Sequence, residues 1–482
     1  MSRRLPLVEE IYNPPAAPHA FELFKDRPFS FFLDSGMDPR RLGRYSYMGS
    51  DPFLVMKSRG SVITLLDSAG EKSIFGNPFD VLGELLHEYN LGSNSLALPF
   101  IGGAVGYLSY DLGHFVEKLP STAVDDLQLP ECYLAFYDAV IAFDHLEGRS
   151  YVVATGFPET GSARLARAEV RLEELRRTLT GAPRPDDYEE ALFDQPVESP
   201  VGLSSNFTHE GYVEAVQAVR DYIMAGDIFQ ANISQRFDAD MPLHPYDLYR
   251  RLRRINPAPF ASYLNLDGVT VVSSSPERFL LVRGDMVETR PVKGTRPRGK
   301  DEASDKALAR ELVQSIKDQA EHVMIVDLER NDLGRVCRYG TVRVSELAAL
   351  EKYATVFHLT STVEGQLRPG KGVIDLLKAT FPGGSITGAP KVRAMEIIDE
   401  LEPTRRSVYT GSIGYLSFDG NLDLNIVIRT ILVKEGRAYF QVGGAVVYDS
   451  DPEGEYIETL DKAKALIRAL SMVPELVTEG TV

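Results

Sequence analysis

The sequence predicts an α/β protein: large antiparallel sheets with helices outside. Three observations lead there. The first 150 residues read mostly as strands, since "SVITLL", "AVGYLSY" and "YLAFYDAVIAF" are β-branched or aromatic runs bounded by Gly, Asp and Asn. The remainder alternates long helices with strands such as "GVTVVSSS", "TVRVSEL" and "AYFQVGG". Strands also follow one another at hairpin-like spacing, whereas a parallel doubly wound sheet needs stricter alternation.

Taken in order, "GSARLARAEVRLEELRRTL" (161–179) is a helical pattern of alternating charge. The stretch 180–206 holds four prolines and many acids and has no clear period, so it reads as a linker or surface excursion. "HEGYVEAVQAVRDYIMAG" carries apolar residues at 212, 216, 219 and 223, the spacing of one helix face. "FPGGSITGAPKVRAMEII" (381–398) is a glycine turn feeding a helix with Pro390 at its first position. The organisation expected is an N-terminal region over 1–180, a linker over 181–206 and a catalytic region over 207–475.

A length of 482 residues allows about three domains. Net charge is −17, from 69 acidic and 52 basic side chains. That excess argues against nucleic acid as a partner, because phosphate binding needs a basic face. Cys132 and Cys337 are the only cysteines, too few for a disulfide framework or a zinc cluster. No signal peptide opens the chain, and its longest apolar run, 133–143, is too short to span a membrane. A soluble cytoplasmic protein is expected.

Against this acidic background "RPVKGTRPRG" (290–299) stands out. Lys293 sits among Arg290, Arg296 and Arg298. The cluster suits a small anionic substrate, or is a solvated basic turn. Asp318 and Glu321, and Glu455 and Glu458, are acid pairs three residues apart in helical stretches, so each pair shares a face. Two such helices facing each other would suit Mg²⁺, which takes one or two carboxylates and keeps several waters. With 69 acids in the chain, such pairs also arise by chance. Glu277, after a Ser-rich strand end, is a general acid if its pKa is raised, or a salt-bridged surface residue. His358 in "YATVFHLTSTVEG" lines a pocket or is a satisfied core histidine. Arg429 sits in the apolar strand "LNIVIRTILV", where a cation asks for an anion.

Eight stretches occur in order: "GDIFQANIS", "SSSPERF", "RPVKGTRPRG", "DQAEHVMIVDLERNDLGRV", "FPGGSITGAPKVRAMEII", "YTGSIGY", "NIVIRT" and "EYIETLDKAKA". Together they resemble the chorismate-utilising enzymes over about 210–470. "LGRYSYMG" and "PFIGGAVGYLSYD" resemble the front half of the family's amine-forming large subunits. The resemblance implies a sandwich of two antiparallel sheets packed orthogonally with helices outside, the two ends of the chain interleaved in one core.

What the resemblance implies for function turns on Lys293. Family members that make anthranilate typically carry Ala there, and those that make 4-amino-4-deoxychorismate carry Lys. The isochorismate and salicylate branches place a lysine base where this chain has Gln230. The expected reaction is therefore chorismate plus ammonia to 4-amino-4-deoxychorismate, the precursor of p-aminobenzoate and folate, through a covalent Lys293 intermediate at C2. The alternative is anthranilate formation. By the same resemblance Glu277 is the general acid. Glu321 and Glu458 are Mg²⁺ ligands with Asp318 and Glu455 beside them, and Tyr409, Arg429 and amides near Gly443 and Gly444 hold the enolpyruvyl carboxylate. Thr387, Lys462, His358 and Gln230 match pocket positions, His358 among the catalytic residues. A nucleophilic lysine must be neutral, so burial and nearby arginines are expected to lower its pKa. Neither cysteine has a glutaminase elbow, which implies a separate glutamine amidotransferase subunit supplying ammonia. Leu33, Ser35, Arg44, Tyr45 and Ser46 resemble a tryptophan site, with Asp34 where Glu is usual.

Overall fold

The computed structural model describes residues 5–92, 98–180, 202–353 and 356–471. Most of the expected linker, 181–201, lies outside the described residues. The end of that stretch joins the fold, as Ser204–Ser205 pairs with Phe237 and Asp238.

Two sheets of twelve strands each form the body. In the first, Gln230–Asp240, Arg437–Val446, Thr430–Lys434, Val269–Ser275, Phe260–Leu266, Phe31–Asp34 and Tyr45–Gly49 lie side by side in that order. In the second, Val292–Pro297 starts a row through Val356–Gln366, Met286–Arg290, Arg278–Arg283, Leu422–Asn425, Ser412–Ser417, Gly103–Leu108 and Cys132–Tyr137. These pairs are antiparallel. Each sheet takes strands from both ends of the chain.

Side-chain alternation along a strand sorts the core. Val140 and Ala142 face inward with Tyr133, Ala135 and Tyr137 of the second sheet. Ile141 and Phe143 face outward with Leu175 and Leu466 of the helices Gly161–Thr180 and Pro452–Ser471. The run "YLAFYDAVIAF" is thus two strands, Cys132–Tyr137 in one sheet and Ala139–Asp144 in the other. The chain crosses at Asp138, a fully buried carboxylate held by Arg167 at 2.7 Å and Arg171 at 3.3 Å.

Helix His209–Ala225 buries Tyr212, Val216 and Val219 as its periodicity predicts. The Thr208 hydroxyl caps its start by accepting the Gly211 N–H, and Gly226 ends it at φ +85°, which glycine adopts without strain. The helix after the glycine turn spans Lys391–Leu401, so Pro390 lies just before the first helical residue rather than at it.

Candidate active site

Lys293 lies in the short strand Val292–Pro297, paired with Leu359 of Val356–Gln366. Glu277 occupies the crossing between Val269–Ser275 of the first sheet and Arg278–Arg283 of the second. Its Oε1 accepts the Ser385 hydroxyl at 2.6 Å and the Val292 N–H at 3.3 Å, so the acid touches the residue preceding Lys293. Glu277 is 4% exposed. Burial raises its pKa to about 7, against the pull of Ser385 and Lys293. Half-buried Lys293 is shifted the other way: burial lowers its pKa, opposed by Glu321 and Glu277 and assisted by Lys462.

The arginines do not supply that shift. Arg290 is held by Glu351 at 2.6 Å and Thr362, Arg296 by Glu311 and Asp318, and Arg298 by Asp305 in a two-pronged pair. Each cation is spent on its own acid, which leaves burial and Lys462 to depress the Lys293 amine.

The expected acid pairs separate into roles. Asp318 accepts Arg296 at 3.0 Å and packs where a Cβ on Gly294 would stand, so it braces the lysine strand. Glu321 projects from helix Ile316–Gly334, and burial raises its pKa against Lys293 and Lys317. Glu458, on the rim, is paired with Lys462 at 2.7 Å and its pKa is lowered chiefly by that lysine. Glu455 accepts the Ser450 hydroxyl at 2.6 Å through Oε1, while its buried Oε2 has no partner. A side chain at Gly444 would meet that Oε2 at 2.8 Å. Among the described residues no three His, Cys, Asp or Glu form a ready metal cage. Mg²⁺ needs only one or two carboxylates, and the unpartnered Glu455 oxygen beside Glu458 fits such an ion.

The other end of the site is built from crossings and loops. Arg429 is not in a strand: it links Leu422–Asn425 of the second sheet to Thr430–Lys434 of the first, at φ +52°. Its Nη1 donates to Lys462 O at 2.6 Å, and burial lowers its pKa. Lys462 Nζ in turn donates to Gly443 O at 2.7 Å. Tyr409 is pushed above its usual range by burial, opposed by Arg406 and Arg429. His358 meets Thr295 Oγ1 through Nδ1 at 2.9 Å, and burial lowers its pKa to about 4, so the ring is neutral at pH 7. The Thr387 hydroxyl turns back to Gly383 O and Gly384 O and shapes its own loop. Gln230 is fully buried, and both its amide atoms find no hydrogen-bond partner among the described residues.

Sequence reading missed Glu402 and Arg406. They form a buried pair, with Nη2 to Oε1 at 2.7 Å and Nε to Oε2 at 2.9 Å. Arg406 also donates to Asn232 O and Ile386 O, and Ser234 donates to Glu402, so the pair ties three segments of the pocket together. The signal was the i, i+4 spacing of an acid and an arginine just after a helix.

A cavity of about 500 Å³ lies elsewhere, between the sheets. Leu33, Asp34, Ser35, Arg44 and Tyr45 line it, while Lys293, Glu277, Glu321 and Glu458 do not. Ser46 is not among its walls: its hydroxyl bonds Asp34, the Ser35 N–H and His145. Asp34 is already engaged by Arg253 and by Tyr249 at 2.8 Å.

Comparison with known proteins agrees with this architecture. The anthranilate synthase component I of Streptococcus pneumoniae has a structure matching 88% of this chain and 92% of its own, with a TM-score of 0.76 and 35% identity. The menaquinone-specific isochorismate synthase of Escherichia coli shares the fold at a TM-score of 0.71 and 18% identity, over 97% and 96% of the chains. In sequence, aminodeoxychorismate synthase component 1 of Bacillus subtilis is 41% identical over 442 residues, covering 91% of this chain and 92% of the relative. Anthranilate synthase component 1 of Thermus thermophilus is 44% identical over 452 residues, covering 94% of each. No described helix is long and apolar enough to cross a membrane. The model of the chorismate binding enzymes matches residues 62–468, and the chain belongs to that family.

Proposed function

We propose that this enzyme converts chorismate and ammonia to 4-amino-4-deoxychorismate, with Lys293 as a covalent catalyst. The observation that carries the reading is a half-buried amine of lowered pKa beside a buried carboxyl of raised pKa. The neutral Lys293 Nζ adds at C2 of chorismate. The C4–O bond breaks, and Glu277 gives its proton to the departing hydroxyl, which leaves as water. Ammonia then adds at C4, the C2–Nζ bond breaks, and a proton from the new ammonium returns to Glu277. A carboxyl with a pKa near 7 suits both directions of transfer.

Tyr409 and Arg429 hold the enolpyruvyl carboxylate, and His358, Gln230, Lys462 and the Gly443–Gly444 strand wall the pocket. Glu321 and Glu458, with Glu455 behind them, would hold Mg²⁺, which when bound neutralises the ring carboxylate. Ammonia comes from a glutamine amidotransferase subunit, as the "component 1" names of the relatives suit. The cavity between the sheets takes a tryptophan-like ligand at Leu33, Ser35, Arg44 and Tyr45.

Anthranilate formation is the second reading, favoured by relatives of that name at 39% and 44% identity, either side of the 41% of the aminodeoxychorismate synthase relative. Chorismate, Mg²⁺ and ammonium are supplied to the native enzyme and to Lys293→Ala, and products are resolved by chromatography. The native enzyme is expected to yield the C4 amine and the variant to lose it, with some C2 amination. Undiminished C4 amination by the variant would reject the covalent role.

A further inference from the structure

The "SYD" of "AVGYLSYD" (104–111) has no part in the chemistry above, yet its three residues grip one backbone residue of the substrate pocket, Ser407. Ser407 lies two residues before Tyr409 and adopts φ +52°, a conformation uncommon for a residue with a side chain. Its carbonyl accepts the Ser109 hydroxyl at 2.8 Å and the Tyr110 N–H at 2.8 Å. Its N–H donates to the Asp111 carboxylate at 3.1 Å. The Arg406 guanidinium stacks over the Tyr110 ring at 4.8 Å and lies 5.9 Å from that of Tyr409. Thr410, at φ +58°, follows Tyr409, and Gly411 lies so close that a Cβ there would come within 2.1 Å of Leu108 O. Tyr409 is therefore bracketed by two left-handed residues, and the N-terminal region supplies the bonds that hold the first of them.

We propose that Ser109 and Asp111 are positioning residues: they clasp Ser407 in its left-handed form and so aim Tyr409 at the substrate carboxylate. The inference rests on the reading of Tyr409 and Arg429 as the carboxylate pair. The test is the KM for chorismate and the kcat, with ammonium as nitrogen source, in Asp111→Ala, Asp111→Asn, Ser109→Ala and Arg429→Ala. Asp111→Ala should raise KM roughly tenfold or more, with a smaller effect on kcat, since a buried N–H loses its acceptor. Asp111→Asn keeps an oxygen acceptor and should restore KM to within about threefold. Wild-type KM in a folded Asp111→Ala, or an Asn variant no better than Ala, overturns the clasp. Should Asp111→Ala not fold, Ser109→Ala carries the test: a KM rise of about threefold supports the clasp, and an unchanged KM overturns it. An unchanged KM in Arg429→Ala would sink the carboxylate reading beneath it. A raised KM there with wild-type KM in Asp111→Ala sinks the clasp alone.

Discussion

Replacing Glu277 by Gln should destroy activity and at the same time make the protein more stable at alkaline pH. Burial holds the Glu277 carboxyl at about 7 in the fold, against 4.5 ordinarily. Between those two values the native state binds more protons than the unfolded chain, so stability falls as pH rises. The contribution of the protonated acid is fully present below about pH 4.5 and lost above about pH 7. At 1.36 kcal/mol per pH unit the loss across that window is about 3 kcal/mol, most of it between pH 5 and pH 8.5. Glutamine keeps the shape and an oxygen acceptor for Ser385 and Val292, but it cannot ionise. The assay is urea unfolding of both proteins at pH 5 and pH 8.5, read as a difference of differences so that titrating groups remote from Glu277 cancel and what is left is Glu277 with its interacting neighbours Lys293 and Glu329. The native protein should lose roughly 2–3 kcal/mol more than the variant between the two conditions. Parallel losses would refute the assignment of Glu277 as a buried acid that is protonated near neutrality.

Other expectations concern the carboxylates beside Lys293 and the cavity between the sheets. Glu321→Gln and Glu458→Gln should each shift the Mg²⁺ titration of activity to higher concentration and lower turnover by about 10–100-fold or more; unchanged titration curves in both would reject these carboxylates as ligands. The chain has no tryptophan, so emission from bound tryptophan can be read directly. Added tryptophan should show saturable binding that barely alters activity and is weakened by Arg44→Ala, and the absence of any saturable signal would reject the cavity reading.

Much of this was legible in the sequence because chemistry-bearing residues sit in short, distinctive stretches. Apolar runs and a 3.6-residue period marked strands such as Gly103–Leu108 and Val269–Ser275 and the helix His209–Ala225, and "RPVKGT" and "SSSPERF" marked the lysine and the acid. Two of the failures share one cause. Where the chain steps from one sheet to the other, apolar residues continue on both sides and the pattern does not break. That hid the turn at Asp138 and placed Arg429 inside a strand it only connects. Partnership was equally hidden: no spacing reveals that Arg296 lies beside Asp318 or that Arg290 lies beside Glu351. The cation cluster was therefore expected to depress the lysine's pKa alongside burial, when burial is the largest cause and Lys462 is the cation that assists it. Glu402 and Arg406 escaped because their role depends on three segments distant in sequence.

The central claim is a covalent bond to Lys293, and mass spectrometry of the enzyme tests it most directly. The protein is incubated with chorismate and Mg²⁺ without any ammonia source, quenched and digested. The peptide containing Lys293 should gain the mass of chorismate less one water, the adduct should vanish when ammonium is added before quenching, and Lys293→Ala should show none. An active enzyme whose Lys293 peptide stays unmodified under these conditions, or whose adduct persists unchanged when ammonium is supplied, would contradict the account.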